Sequence, residues 1–390
     1  MRTISIDSAM SAKIKTGKRS FYQKEVPATF PSLTPGEWFI LKSEIDSWLA
    51  YGNPFAKDTP SLWVLGRESV EPVAFIRKKI QHALKLRAGC YKNEGQRIVY
   101  GQSDKLPGLI IDTYKDHSFI QINTAGMDRY RNDIKNLVDE IYPKKKNYFL
   151  DRKKYREAES LPEFAQEWKE DELVTIVDSG ITYQLPIGKM QKVGFYFDHR
   201  DNRKKFESYL VNEEVVKTRA LDLFSYLGSW GLQAARAGSI RVDFVDQANF
   251  EDYIIENSKI ISPKLDARFH HKDVFKFLDE SINEGLLWNV IICDPPAFCK
   301  SVKQKQQAIS GYKKLYSRIF RLMSEASTLV AASCTKYISL DELTSIVESE
   351  ARQAGKSLVL RDIGMQSKDH PITSLKDNAN YIKYALYSVE

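Results

Sequence analysis

From about Val174 to the C-terminus, short β runs and helical runs alternate strictly, and this alternation excludes most of the folds open to a chain of 390 residues. The β runs are ALDLFS, VDFVD, ARFHH, NVIICD and TLVAAS. Between them lie helical runs such as GLQAARA, FEDYIIENSKI and VFKFLDESI. A strand that returns parallel to its predecessor needs a crossover, usually a helix, so the pattern predicts a doubly wound α/β sheet. The last two runs, SLVLRDI and YIKYALYSV, have no helical pattern between them, so the sheet is expected to end in an antiparallel hairpin.

The preceding half reads differently. From Gly36 to Glu68, EWFILK, SWLAYG and LWVLGRE are short strands broken by turn residues such as Asn53-Pro54, the spacing of a small β-barrel over residues 1–70. A helix is expected at about Glu71 to Arg87. It opens a central α+β segment, 71–185, in which Asp112 to Asp116 separates two β-rich runs as a hairpin would and MDRYRNDIKNLVDEIY has helical periodicity. Pro143 to Lys169 loses apolar periodicity and gathers Lys144, Lys145, Lys146, Arg152, Lys153 and Lys154, which marks a surface loop or linker. These cations are either a solvated face or phosphate contacts. The alternating segment, 186–390, is the third part.

Composition narrows the class. With 58 basic against 51 acidic residues the net charge is +7, which suits a polyanionic partner without requiring one. Cys90, Cys293, Cys299 and Cys334 lie far apart without paired spacing, so neither a disulfide framework nor a zinc site is favoured, no metal is expected, and a reducing cytoplasm fits. No apolar run reaches membrane-span length, no leader pattern opens the chain, and no repeat of fixed period occurs.

In an open α/β sheet, ligands gather at the carboxyl ends of the strands. The first strand ends at Asp222, followed by a turn with Gly228 and Gly231, small residues expected where a ligand approaches the backbone; the second ends at Asp246, placed to accept hydrogen bonds from ribose hydroxyls. Asp273 follows the third strand and Asp294-Pro295-Pro296 the fourth. Each aspartate also has a plain reading as a helix N-cap. Together they suit a ligand with a ribose, an amine and positive charge, which S-adenosylmethionine is. A dinucleotide is disfavoured because LFSYLGSWG lacks the three-glycine fingerprint. Consecutive prolines make a rigid corner whose carbonyls line a slot for a flat base, and Phe298 is placed either to stack on that base or to join the core.

The fifth strand ends AASCTKYIS, which puts Cys334 at the same edge. Methylating carbon 5 of a pyrimidine requires a thiolate to add at carbon 6, so a cysteine here is a candidate nucleophile. Cys299 is its rival, or an aid to elimination. Cys90 and Cys293 read as small buried hydrophobes.

The runs QKVGFYFDHRDNRKKF, LDLFSYLGSWG, VDFVDQ, CDPPAF with GYKKLY, and ASCT together resemble the bacterial large-subunit (23S) rRNA methyltransferase I family. The resemblance extends over nearly the whole chain: PGEWFILK and YGNPF are similar to the family's PUA-like RNA-binding domain. It implies a class I, Rossmann-like methyltransferase fold with a seven-stranded sheet and an antiparallel last strand. It also implies transfer of a methyl group from S-adenosylmethionine to carbon 5 of cytosine in 23S rRNA. Position by position, it assigns Phe195, Asp198, Arg200, Asn202 and Arg203 to the segment that closes over the cofactor. An arginine or asparagine there can bind the methionine carboxylate. Asp222, Phe224, Ser225 and Gly228 fall in the first cofactor turn, Asp246 is the ribose acceptor, and Asp273 with Val274 lies at the adenine. Asp294, Pro295 and Pro296 form the base slot, and Cys334 is the nucleophile.

The expected partner is therefore 23S rRNA or a large-subunit assembly intermediate, with no membrane. A homodimer is compatible with the sequence but not required by it. Two rival functions share these features: a methyltransferase acting on a purine nitrogen such as guanine's, which needs no thiol, and a noncatalytic RNA-binding factor that keeps the fold as a scaffold.

Overall fold

A computed structural model of the chain describes residues 1–67, 70–151, 153–190, 194–215, 217–373 and 380–390. Glu68, Arg152 and Gln191 to Val193, which figure in the sequence reading, lie outside them. The chain divides into two compact units, Met1–Val177 with Gln184–Phe195, and Asp178–Tyr183 with Tyr196–Glu390.

In the first unit, β1 (Arg2–Ser5), α1 (Ser8–Lys15), β2 (Ser20–Phe21), β3 (Glu37–Lys42), β4 (Ser47–Gly52) and β5 (Leu62–Gly66) build a five-stranded sheet in the order β1-β3-β4-β5-β2. The expected barrel is thus a sheet with β1 and β2 at its edges. Its three sequence-legible strands are the antiparallel centre, and β1 joins β3 in parallel. α1 starts because Asp7 caps it, accepting from the Met10 amide at 2.7 Å.

α2 (Pro72–Arg87) has proline in its first turn, where the missing N–H costs no helical bond. β6 (Gln96–Tyr100), β7 (Leu109–Thr113) and β8 (His117–Ile122) follow, then α3 (Ala125–Asp128), α4 (Arg131–Ile141), β9 (Lys146–Phe149) and α5 (Lys153–Ala158). β6 to β9 form a four-stranded sheet in that order. The hairpin turn begins after Thr113 rather than at Asp112. Pro143 to Lys169 is not a plain linker, since it contains β9 and α5. Lys145 donates to Thr113 Oγ1 at 2.6 Å, Lys146 pairs with Glu172 at 2.6 Å and Lys153 with Glu163 at 2.9 Å. The first sheet and the central elements share one core: Trp38, Leu49, Tyr51 and Leu65 pack with Phe75, Ile80, Val99, Ile111 and Ile120.

β10 (Leu173–Asp178) and β11 (Ile181–Pro186) form a separate two-stranded sheet; its turn, Ser179-Gly180, with the adjoining ends of both strands, Asp178 to Tyr183 in all, belongs to the second unit. That unit continues with α6 (Arg200–Asn212), β12 (Arg219–Leu223), α7 (Ser229–Arg236), β13 (Arg241–Asp246), α8 (Glu251–Ile261), β14 (Asp266–His271), α9 (Val274–Asn283), β15 (Trp288–Cys293), α10 (Lys305–Arg321), β16 (Met323–Ser333), α11 (Leu340–Gln353), β17 (Leu358–Gly364) and β18 (Lys383–Val389). The seven strands lie in the order β14-β13-β12-β15-β16-β18-β17, and β18 runs antiparallel between β16 and β17.

The register aligns the strand ends. Leu223 sits beside both Val245 and Cys293, and Cys293 beside Ala331, so the residues that follow β12, β13, β15 and β16 emerge at one edge. β18 starts at the same edge, where Lys383 pairs with Ser333. Among the described residues, no helix is long and apolar enough to cross a membrane.

Candidate active site

The first turn at this edge is built against steric preference. Phe224 (φ 60°) and Tyr226 (φ 48°) hold the left-handed conformation that bulky L residues avoid, as does Gly228 (φ 72°). Asp246 holds the turn by accepting from the Tyr226 and Ala248 amides, both at 2.8 Å. The Gly228 amide donates to the Ser225 carbonyl at 2.7 Å. A Cβ on Gly228 would lie 2.8 Å from the Phe244 ring, and one on Gly231 only 2.4 Å from it. The close seating of α7 on β13 therefore itself requires small residues at these two positions.

Asp222 is wholly buried, and one of its oxygens accepts from the Gly231 amide at 2.9 Å. Burial pushes its carboxyl well above the usual range, with Asp294 and Asp246 adding to the shift. Its Oδ1 and the Ser225 hydroxyl are buried and have no hydrogen-bond partner among the described residues. A ligand carrying hydrogen-bond donors and positive charge would satisfy both atoms and relieve the carboxylate crowding. The residues present thus fit S-adenosylmethionine.

Asp273 is exposed and acts as the N-cap of α9, accepting from the Lys276 amide at 3.1 Å, while its other oxygen accepts from Gln247 at 2.6 Å. The plain reading of this aspartate is realised, and its contact with Gln247 turns it towards the residue after Asp246. The Val274 side chain is buried in the core, which leaves only its backbone for a ligand.

The segment ahead of α6 is used by the fold more than the sequence suggested. Arg200 and Arg203 are buried and both pair with the buried Asp178, at 2.9 and 2.8 Å, so neither is an open guanidinium. Asn202 donates to the Met365 carbonyl at 3.0 Å and contacts His199 Nδ1 at 3.1 Å. Asp198 accepts from the Tyr381 hydroxyl at 2.7 Å. Phe195 falls in the first unit, where its amide donates to the Tyr114 hydroxyl oxygen at 3.1 Å.

At the Asp-Pro-Pro corner, Asp294 is half-buried, hydrogen-bonded by Trp230 and approached by His199. Trp230 Nε1 donates to its Oδ2 at 3.0 Å, and His199 Nε2 lies 3.5 Å from Oδ1. Because both Asn202 Nδ2 protons go to acceptors, His199 Nδ1 accepts and the ring proton is assigned to Nε2, facing the carboxylate. Pro295 is buried, Pro296 exposed. The Phe298 ring packs on Tyr312 with centroids 4.6 Å apart, so it joins the core margin rather than standing open.

Cys334 is half-exposed, and its thiol lies 3.6 Å from the Pro295 carbonyl oxygen. Its flanking residues are locked: the Tyr312 hydroxyl meets Ser333 Oγ at 2.7 Å and Thr335 Oγ1 at 2.9 Å, and the Phe298 amide donates to Thr335 Oγ1 at 3.1 Å. The rival Cys299 is 5% exposed and its thiol is pushed up by burial; Cys293 is likewise buried and raised. Only Cys334 and Cys90 escape full burial, and Cys90 lies in the other unit.

Sequence reasoning missed His199, Trp230, Tyr312 and Lys383. Trp230 sits inside the quoted glycine turn, Tyr312 inside GYKKLY. Lys383 is the single cation in the apolar run YIKYALYSV, and that isolation was its signal.

Two curated proteins resemble nearly the whole chain. The Ribosomal RNA large subunit methyltransferase I of Vibrio vulnificus is 29% identical over 89% of each chain, and that of Aeromonas salmonicida 29% over 86% of each. Two solved structures cover the full length of both chains at 20% identity: a methyltransferase complexed with SAH, at a TM-score of 0.79, and a protein described as an S-adenosylmethionine-dependent methyltransferase from Streptococcus mutans, at 0.78. That likeness shows the fold. The family model for S-adenosylmethionine-dependent methyltransferases matches residues 144–371, more than half of the sequence, and with the strand-end turns described above it makes this chain a member of that family.

Proposed function

We propose that the enzyme methylates carbon 5 of a cytosine in 23S rRNA through a covalent adduct with Cys334. The observation that carries this reading is the contact of the half-exposed Cys334 thiol with the Asp-Pro-Pro corner, while Cys293 and Cys299 are buried in the core. The relatives named as large-subunit rRNA methyltransferases favour the same substrate class.

In this reading Asp222, Phe224, Ser225, Gly228 and Asp246 hold S-adenosylmethionine at the first turn, with Asp273 and Val274 beside the adenine. Asp198, Arg200, Asn202 and Arg203 support it through the helix they open, and Phe195 lies in the same stretch of chain. When bound, the cofactor supplies an electrophilic methyl group. Asp294, held by Trp230, seats the cytosine against Pro295 and Pro296, with Phe298 closing the side of the slot. The Cys334 thiolate adds to carbon 6, which makes carbon 5 nucleophilic; a base later takes the carbon 5 proton, and the electron pair left behind breaks the carbon 6–sulfur bond and expels the thiolate.

RNA is held by the first unit, with residues 1–70 in the PUA-like role and 71–185 beside them. A cavity there of about 960 Å³ is lined by Lys92, Lys115, Lys145, Tyr91 and Tyr142 among others, the mix of cations and rings that holds unstacked RNA. The test is turnover on 23S rRNA with nucleoside mass spectrometry. Wild type is expected to yield 5-methylcytosine, and Cys334→Ala to lose turnover while still binding S-adenosylmethionine. A methylated purine, or full turnover in Cys334→Ala, overturns the reading.

A further inference from the structure

Lys383 opens β18 at the edge where the site lies, paired in register with Ser333, the residue before Cys334. It is 6% exposed. Two of its three ammonium protons go to backbone carbonyls, Thr335 at 2.7 Å and Tyr381 at 3.0 Å. Among the described residues it forms no ion pair with a carboxylate. A buried ammonium without a carboxylate is an expensive arrangement for a fold to keep. Glu342, on α11, is the carboxylate that acts on it, and Glu342 is already engaged by Lys305 at 2.6 Å.

The other groups that act on Lys383 are two thiols, Cys334 and then Cys299. Its hydrogen bond to Thr335 anchors the ammonium one residue beyond Cys334. Tyr196 and Tyr312 also act on or near the Cys334 thiol, and burial keeps both of these phenols neutral. Asp294 is the carboxylate of the same corner; its Oδ2 accepts from Trp230, and its Oδ1 lies 3.5 Å from His199 Nε2.

We propose that Lys383 is a positioning residue whose buried ammonium is the counter-ion of the Cys334 thiolate, holding the nucleophile ionised before RNA binds. The role rests on the covalent reading given above. A cation beside a thiol favours the thiolate, and a thiolate beside an ammonium favours the protonated amine. Burial lowers the Lys383 amine to about 8, while the two thiols oppose that shift. Lys383 is therefore charged near neutral pH and loses its proton as the solution becomes alkaline.

The experiment is the pH dependence of iodoacetamide alkylation at Cys334, read by peptide mass spectrometry on the full chain without RNA over about pH 6 to 10. Wild type is expected to show a midpoint below the ordinary thiol value of about 8.5. Lys383→Gln keeps a donor but removes the charge, and Lys383→Met removes both. Each is expected to raise the midpoint by about one pH unit or more and to slow alkylation near pH 7 about tenfold. Lys383→Arg is expected to retain the wild-type midpoint. A purely structural lysine would give the reverse pattern, with Gln matching wild type. A wild-type midpoint at or above 8.5, about that of an ordinary thiol, overturns the proposal even if no variant folds, and so does an unmoved midpoint in folded Lys383→Gln. The covalent reading is decided separately by Cys334→Ala: inactive Cys334→Ala with an ordinary alkylation profile leaves that reading standing and removes the counter-ion, and active Cys334→Ala with a shifted profile does the opposite.

Discussion

Glu159, immediately after α5, should make the first unit lose stability as pH rises, and a single substitution should remove the effect. The residue is 2% exposed. Its Oε2 accepts from Asn53 Nδ2 at 2.8 Å and from the Ala125 amide at 3.3 Å, while Oε1 is buried without a hydrogen-bond partner among the described residues. Burial dominates over those two bonds and pushes its carboxyl up from 4.5 to about 7. The folded chain therefore holds this proton over a range in which the unfolded chain has released it. Stability contributed by the protonated form is complete below about pH 4.5 and falls away as pH rises through about 7. At about 1.4 kcal/mol per pH unit, ionising the buried acid destabilises the fold by about 3 kcal/mol at pH 8. Glu159→Gln keeps an oxygen for Asn53 and Ala125 and cannot ionise. Thermal unfolding of the full chain should show the variant melting about 6–12 °C above wild type at pH 8, with the difference nearly gone at pH 5. Equal melting of the two proteins at pH 8, or a wild type that gains stability from pH 5 to pH 8 while the variant does not, would refute the burial argument.

Two further substitutions probe the second unit. Gly231→Ala puts a methyl 2.4 Å from the Phe244 ring and 2.9 Å from Val242. The overpacking should destabilise the chain by about 1–3 kcal/mol and displace the amide that holds Asp222, so calorimetry should read S-adenosylmethionine binding weakened about tenfold or more. Trp230→Phe removes the donor to Asp294 and leaves most of the ring that stacks on Tyr384. A hydrogen bond to a charged group contributes about 1.5–3 kcal/mol, so turnover should fall about tenfold or more while cofactor affinity changes little. Equal losses in both would show that the indole serves the cofactor turn instead.

What could be read in advance was what depends on local pattern. The runs EWFILK and SWLAYG are β3 and β4 residue for residue, and the β/α alternation yields the strands from β12 onward. β1 was not legible because only Ile4 of its four residues is buried and its partner β3 comes from more than thirty residues later. β9 and α5 hid in a lysine-rich stretch because what they bury is not apolar. Arg156 is almost wholly enclosed, and it pairs with nearby Asp151 and with Asp128, 28 residues earlier. The strand-end aspartates and Cys334 stood out because topology assigns them to one edge. His199, Trp230 and Lys383 did not, since each acts through a partner that only the folded sheet supplies. The same applies to Arg200 and Arg203: sequence suggests open guanidiniums, but Asp178, at the end of β10, occupies both.

That contribution from β10–β11 limits how the enzyme can be cut. A fragment beginning at residue 186 would contain every strand of the seven-stranded sheet yet lack Asp178, whose carboxylate sits between two enclosed arginines, and Ser179, whose carbonyl oxygen accepts from Arg236 at 2.7 Å. Stranding charges in that way is destabilising by about 3–5 kcal/mol, a large share of what a domain of this size has to spare. Any excised or transplanted version must start upstream of the hairpin, so the catalytic half carries with it a piece of chain that linear inspection would leave behind.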